Sequence, residues 1–208
     1  MLLRATSIDE TQLGDSMGLR NFFRPRAAGP VARKISRVTT PTGVERTFDR
    51  SEVIVTKTNR TGHITYANDI FLRIAGYTEA EVMGAPHSII RHPDMPRCVF
   101  KYLWDTIEEG QDVFAYVLNL ASTGDHYWVF AHVTPSYGRN RELIGYHSSR
   151  RSPDRRIVKD VITPLYQSLL AEEKRHKDRK AGLEASFAML CGALAKKGTE
   201  YDEFILSL

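Results

Sequence analysis

Four side chains suited to holding a polar or charged ligand crowd into positions 87–94 of the stretch "PHSIIRHPDMP": His87, Arg91, His92 and Asp94. Arg91 can make charge-assisted hydrogen bonds to a phosphate, and each imidazole offers a donor and an acceptor or, once protonated, a positive charge. Asp94 can orient Arg91 or His92, or cap a helix that follows. The plainer roles stand beside these: histidines satisfy buried loop groups in many proteins, and Arg91 with Asp94 makes an ordinary ion pair. Pro86, Pro93 and Pro96 restrict the backbone through the same stretch. The histidine spacing does not match a zinc site. The chain also has no P-loop, no glycine-rich dinucleotide fingerprint and no recognisable nucleophile and base, so an enzyme is not expected.

The elements that must position this stretch can be read on either side of it. Before it, "EVIVTKTN", the turn "RTGH" and "ITYAN" read as a β-hairpin. A short helix then carries Ile70, Phe71 and Ile74, and Thr78 with Glu81 makes a capping box for another. After it, a longer helix from Pro96 to Glu109 shares Val99, Phe100, Leu103, Trp104 and Ile107 on one face, and Gly110 ends it. Three strands follow, "VFAYVLNLA", "DHYWVFAHVTP" and "ELIGYHSSR", joined by the turns "STGD" and "YGRN". The first two are apolar on both faces, so the sheet must be covered on both sides. This order predicts an α+β domain with a five-stranded antiparallel sheet and short helices on one face, followed by a C-terminal helical extension.

The 208 residues suffice for one well-buried domain with extensions. Residues 1–48, rich in Gly, Pro, Arg and Thr, read as a mobile tail with a possible cap at its end; residues 49–152 are the folded domain, and residues 153–208 the helical extension. No apolar run approaches the roughly 20 residues of a membrane helix, and no signal peptide is evident, so a cytoplasmic protein without membrane insertion is expected. Cys98 and Cys191 are too few and too far apart for a disulfide framework. The net charge of +4 is mild and its basic residues are scattered, so nucleic acid is not an expected partner.

The string "ITYAND…F…GYTEAEVMG…PH…IRHPDMP…F…LW…G…N…GDHYWV…TP…GY" resembles the PAS domain of bacterial aerotaxis receptors, from about Glu52 through Arg150. That resemblance implies a PAS fold and an FAD held non-covalently between the long helix and the inner face of the sheet, with its redox state as the signal. It places the flavin-associated positions on His87, Arg91, His92, Asp94, Trp104 and Asn119. Asn119 offers a donor and acceptor pair for the polar edge of an isoalloxazine, and small Ala115 on its face leaves room beside it. Trp104 at helical spacing is, by itself, an ordinary core residue. Heme on a histidine and a ligand-free protein-interaction adaptor are the alternatives. A light-driven cysteine adduct is not expected, because His87 stands where light-sensing relatives carry the cysteine. The chain also departs from many of the receptors in carrying Val113 and Phe114 where they have a Trp.

The resemblance covers about half the chain, and a helix from Pro164 to Lys197 stands where the receptors continue into their membrane anchor and output modules. Its centre "EEKRHKDRK" is almost wholly charged, and Leu183, Phe187, Leu190 and Leu194 form a narrow seam beyond it. A seam of one or two heptads needs a partner, which is a second copy, another protein or the chain's own domain. The expectation is therefore a stand-alone sensory module, a homodimer, passing redox or oxygen status to a signalling protein such as a histidine kinase or a chemotaxis-type component.

Overall fold

The computed structural model describes residues 39–208, so most of the expected N-terminal tail lies outside the described residues. Alternating residues form β1 (Ile54–Asn59) and β2 (Ile64–Ala67), whose turn holds Gly62 at φ +76°. A Cβ there would be strained and would lie 3.1 Å from the Trp104 ring, so this glycine lets the turn close onto the indole. Asn68 starts α1 (Asp69–Ala75) by accepting from the Phe71 N–H, and Phe71 and Ile74 are buried. The capping box of Thr78 and Glu81 opens α2 (Glu79–Val82). A single 3-10 turn, His87–Ile90, then leads to α3 (Arg97–Glu108), which buries Val99, Leu103 and Ile107 as their spacing requires. Each such side chain contributes about 1.5–3 kcal/mol on burial.

The three following strands are β3 (Val113–Leu120), β4 (His126–Tyr137) and β5 (Leu143–Arg151). The sheet runs in the order β2-β1-β5-β4-β3, with every neighbouring pair antiparallel. Residues 42–46 run beside the β3–β4 turn, where Arg46 pairs with Asp125 at 2.9 Å and its N–H donates to the His126 carbonyl at 2.8 Å.

The single C-terminal helix expected from Pro164 to Lys197 is not what forms. A helical run instead begins with α4 (Arg155–Ile157), passes through a π turn at Val158–Ile162, and continues as α5 (Thr163–Arg175). The chain reverses at His176, whose backbone is extended, and Asp178 caps α6 (Arg179–Lys197) by accepting from the Ala181 N–H at 2.7 Å. Around His176 the charged run carries no apolar side chain to bury, so no packing opposes a turn there, and the Asp178 cap favours a fresh helix. Gly198 ends α6 in the left-handed conformation, and α7 (Tyr201–Leu206) returns to the domain.

The seam therefore finds its partner within its own chain. Leu190 and Leu194 are buried in the main core, and Leu183 and Phe187 pack against it. Helices α5 and α7 cover one side of β3 and β4. Tyr166 donates its hydroxyl to the Tyr116 carbonyl at 2.6 Å, its ring lies 6.0 Å from Trp128, and the Phe114 N–H reaches Asp202 at 3.5 Å. An apolar sheet face needs such cover, and here the extension supplies it. Among the described residues no helix is long and apolar enough to cross a membrane.

Candidate functional site

Between α3 and the inner face of the sheet lies a cavity of about 320 Å³. The period of two along each strand decides its lining: Tyr146, Ser148 and Arg150 from β5, Ala131 and Val133 from β4, Val117 and Asn119 from β3, and Thr56 and Thr58 from β1. Phe100, Leu103, Trp104 and Ile107 of α3 close the opposite wall. Ala131, rather than the Ala115 singled out from the sequence, is the small residue that makes room. The two alanines are cross-strand neighbours, and only Ala131 lines the space.

The walls are mostly apolar, but three buried polar atoms of residues that line them lack a hydrogen-bond partner among the described residues: Asn119 Nδ2, Ser148 Oγ and Arg150 Nη1. Each such atom costs about 1–3 kcal/mol unless something in the cavity bonds to it. Arg150 is 4% exposed, and among the described residues no carboxylate pairs with it. Its Nη2 donates to Thr56 Oγ1 at 2.9 Å and to His87 Nε2 at 2.7 Å. Burial brings its pKa down to about 10. His87 is held near a pKa of about 3, by burial first and by the Arg150 charge second, so its imidazole is neutral and its Nε2 accepts. The site thus presents a fixed buried cation and directed donors, an arrangement suited to a flat ligand with acceptors on one edge.

Of the six residues expected from the sequence, His87, Arg91, Trp104 and Asn119 line this cavity. Trp104 meets Tyr146 edge to face at 5.5 Å, and Arg91 lies 4.3 Å above the Phe100 ring. The peptide groups of Arg91 and Asn119 form an isolated antiparallel bridge, tying the loop to β3. His92 and Asp94 lie behind this wall and outside the cavity. His92 is buried, and its Nδ1 accepts from the Asp94 N–H at 3.1 Å. The Asp94 carboxylate is 65% exposed, 4.0 Å from His92. Asp94 neither pairs with Arg91 nor caps α3. Pro96 stands at the helix N-cap, and Glu173 of α5 takes the role instead, accepting from the Arg97 and Cys98 N–H groups at 2.7 and 3.3 Å.

Sequence reasoning missed Arg150, Ser148 and Thr56. The available signal was alternation along "GYHSSR", which puts Tyr146, Ser148 and Arg150 on one face, with an arginine where a core residue would be usual. Cys98 does not line the cavity; burial pushes its thiol up to about 11, beside Ser186 and Glu173. Among the described residues no group of three or more His, Cys, Asp or Glu side chains is placed to hold a metal ion.

Residues 64–150 match the family model described as PAS fold, and the five-stranded antiparallel sheet with its helices over a cavity agrees with that match. The aerotaxis receptor of Escherichia coli (strain K12) is 40% identical over 119 residues, which are 57% of this chain and 23% of the receptor. The nitrogen fixation regulatory protein of Klebsiella pneumoniae is 27% identical over 103 residues, 50% of this chain and 21% of that protein. The blue-light-activated histidine kinase of Brucella anthropi is 25% identical over 117 residues, 56% of this chain and 24% of the kinase. The chain spans less than a quarter of the length of each of these relatives. A solved PAS domain from Colwellia psychrerythraea superimposes with a TM-score of 0.46 at 19% identity, over 50% of this chain and 88% of that one.

Proposed function

We propose that this chain is a cytoplasmic sensory module whose PAS domain binds FAD and reports redox or oxygen status to a partner signalling protein. The observation that carries the reading is the set of partnerless buried atoms of Asn119, Ser148 and Arg150 around one apolar cavity. An isoalloxazine fits their chemistry: its apolar body suits the Trp104 and Phe100 side, and its carbonyl and ring-nitrogen edge supplies the acceptors those atoms lack. When bound, the flavin would supply one- and two-electron redox chemistry. The protein's part is to orient the ring through Asn119 and Ser148, to place a buried positive charge beside it through Arg150, and to keep bulk water off it. The likeness to the aerotaxis receptor supports the sensory assignment.

Heme is disfavoured by His87, whose Nε2 already accepts from Arg150 and is therefore not a free axial ligand. A ligand-free adaptor would leave three buried polar atoms without partners. The output in this reading runs through α3, which forms the cavity wall and whose N-terminus is held by Glu173 of the C-terminal hairpin. A homodimer stays within the proposal, with some contact other than the Leu190 seam, which the chain itself covers.

The absorption spectrum of freshly purified protein tests the proposal. Flavin bands in the blue, with FAD released intact on heating, are expected; an intense Soret band would establish heme instead. A colourless protein that fails to take up added FAD would leave the adaptor.

A further inference from the structure

A second, wider cleft of about 1190 Å³ adjoins the inner cavity and shares Pro86, Ser88 and Arg91 with it. Four cationic side chains line this cleft from four parts of the chain: Arg91 from the loop, Arg97 from α3, Lys174 from α5 and Arg179 from α6. Among the described residues only two carboxylates line it, Glu81 and Glu173. Glu173 is engaged with Arg97 Nε at 2.7 Å and with the α3 amides, and Glu81 accepts from the Thr78 N–H and hydroxyl, both at 2.9 Å. Among the described residues no salt bridge reaches Arg91, Lys174 or Arg179.

These cations are held together by packing. Arg97 Nη1 donates to the Arg179 carbonyl at 2.7 Å, which fixes the start of α6 against the start of α3. A Cβ on Gly182 would stand 2.6 Å from the Glu173 carbonyl oxygen, so α5 and α6 approach as closely as a glycine allows. The charge of Arg91 is disfavoured by its burial and by the like charges of Arg97 and Arg179, with Glu173 alone opposing them. Like charges gathered without an anion raise the energy of the fold, and an anion placed among them recovers it.

We propose that the C-terminal hairpin completes the cofactor site, with Lys174 and Arg179 joining Arg91 to bind the pyrophosphate of a flavin dinucleotide whose ring occupies the inner cavity. The inference rests on the flavin reading above and adds to it a residue-level reason for the dinucleotide. The pyrophosphate is dianionic, and Arg91 is, among the described residues, the one cation that lines both the inner cavity and the cleft. The hairpin then has two duties: it covers the domain, and it senses occupancy through its own charges.

The test titrates the full chain, stripped of ligand, with riboflavin and with FAD, following flavin fluorescence. Wild-type protein is compared with Lys174→Glu/Arg179→Glu and with the control Lys159→Glu, all at exposed positions. FAD is expected to bind wild type more tightly than riboflavin does. The double variant should lose roughly tenfold or more in FAD affinity, with riboflavin affinity unchanged and Lys159→Glu without effect. If riboflavin binds and FAD affinity is the same in wild type and the double variant, the hairpin plays no part and this inference falls alone. If neither flavin binds wild type, the flavin reading fails and this inference fails with it.

Discussion

Glu173 and Arg150 are both buried charges, 8% and 4% exposed, and the fold treats them in opposite ways. Glu173 is fully engaged: it accepts from two α3 amides, the Arg97 guanidinium and the Ser186 hydroxyl, and so joins the C-terminal hairpin to the N-terminus of α3. Arg150, in the wall of a cavity, has a hydroxyl and a neutral imidazole for company and, among the described residues, no partner for its Nη1. A buried charge that the protein itself satisfies marks a structural joint, whereas one left short of partners marks a place for something else.

That contrast is tested most severely at the joint. Glu173→Ala removes the carboxylate while leaving Arg97 and the α3 amides behind, and should cost about 3–5 kcal/mol in urea unfolding. A loss under about 1 kcal/mol would mean that the hairpin is held by its apolar contacts alone.

Arg150→Met should behave in the opposite sense. Without ligand it exchanges an under-partnered buried cation for an apolar side chain, and stability should stay within about 1 kcal/mol of wild type. Flavin affinity should nevertheless fall by roughly ten- to a hundredfold, the equivalent of about 1.5–3 kcal/mol for a charge-assisted contact. Strong destabilisation of the ligand-free protein together with unchanged binding would reverse the assigned roles.

His87 sharpens the comparison through pH. Its pKa in the fold is about 3, below the ordinary histidine value of 6.5, so the unfolded chain binds a proton there that the folded one does not. The stability that neutral His87 confers is complete above about pH 6.5 and is lost as pH falls toward about 3, with a slope of up to about 1.4 kcal/mol per pH unit from this group. His87→Gln should flatten that part of the stability profile. A slope identical in the variant would assign the acid sensitivity to other groups. The smallest effect is expected at Asp94, whose exposed carboxylate touches neither cavity nor helix cap; Asp94→Asn should change stability by less than about 0.5 kcal/mol and leave flavin affinity alone.

The parts legible from sequence were those fixed locally. The Thr78 and Glu81 capping box, the alternation of β1 and the apolar face of α3 each depend on residues a few positions apart, and they place the sheet and helices that enclose the cavity. Arg150 was not legible in the same way, because its importance depends on what it faces across β1 and α3. Nor was Glu173, which caps a helix distant in sequence while the nearer Asp94 points to solvent. The charged run around His176 read as helix because Glu, Lys and Arg all favour helix. The reversal there is set by the Asp178 cap and by the packing of α5 and α6 on α3, which no local pattern reports.

A crystal structure of the protein with bound cofactor would show directly what meets the buried polar atoms of the cavity. A flavin ring is expected between α3 and the sheet, with Asn119 Nδ2, Ser148 Oγ and Arg150 Nη1 each within hydrogen-bonding distance of a ring acceptor, roughly 2.7–3.2 Å. Ordered water on all three atoms, with the flavin bound elsewhere or absent after soaking, would contradict it.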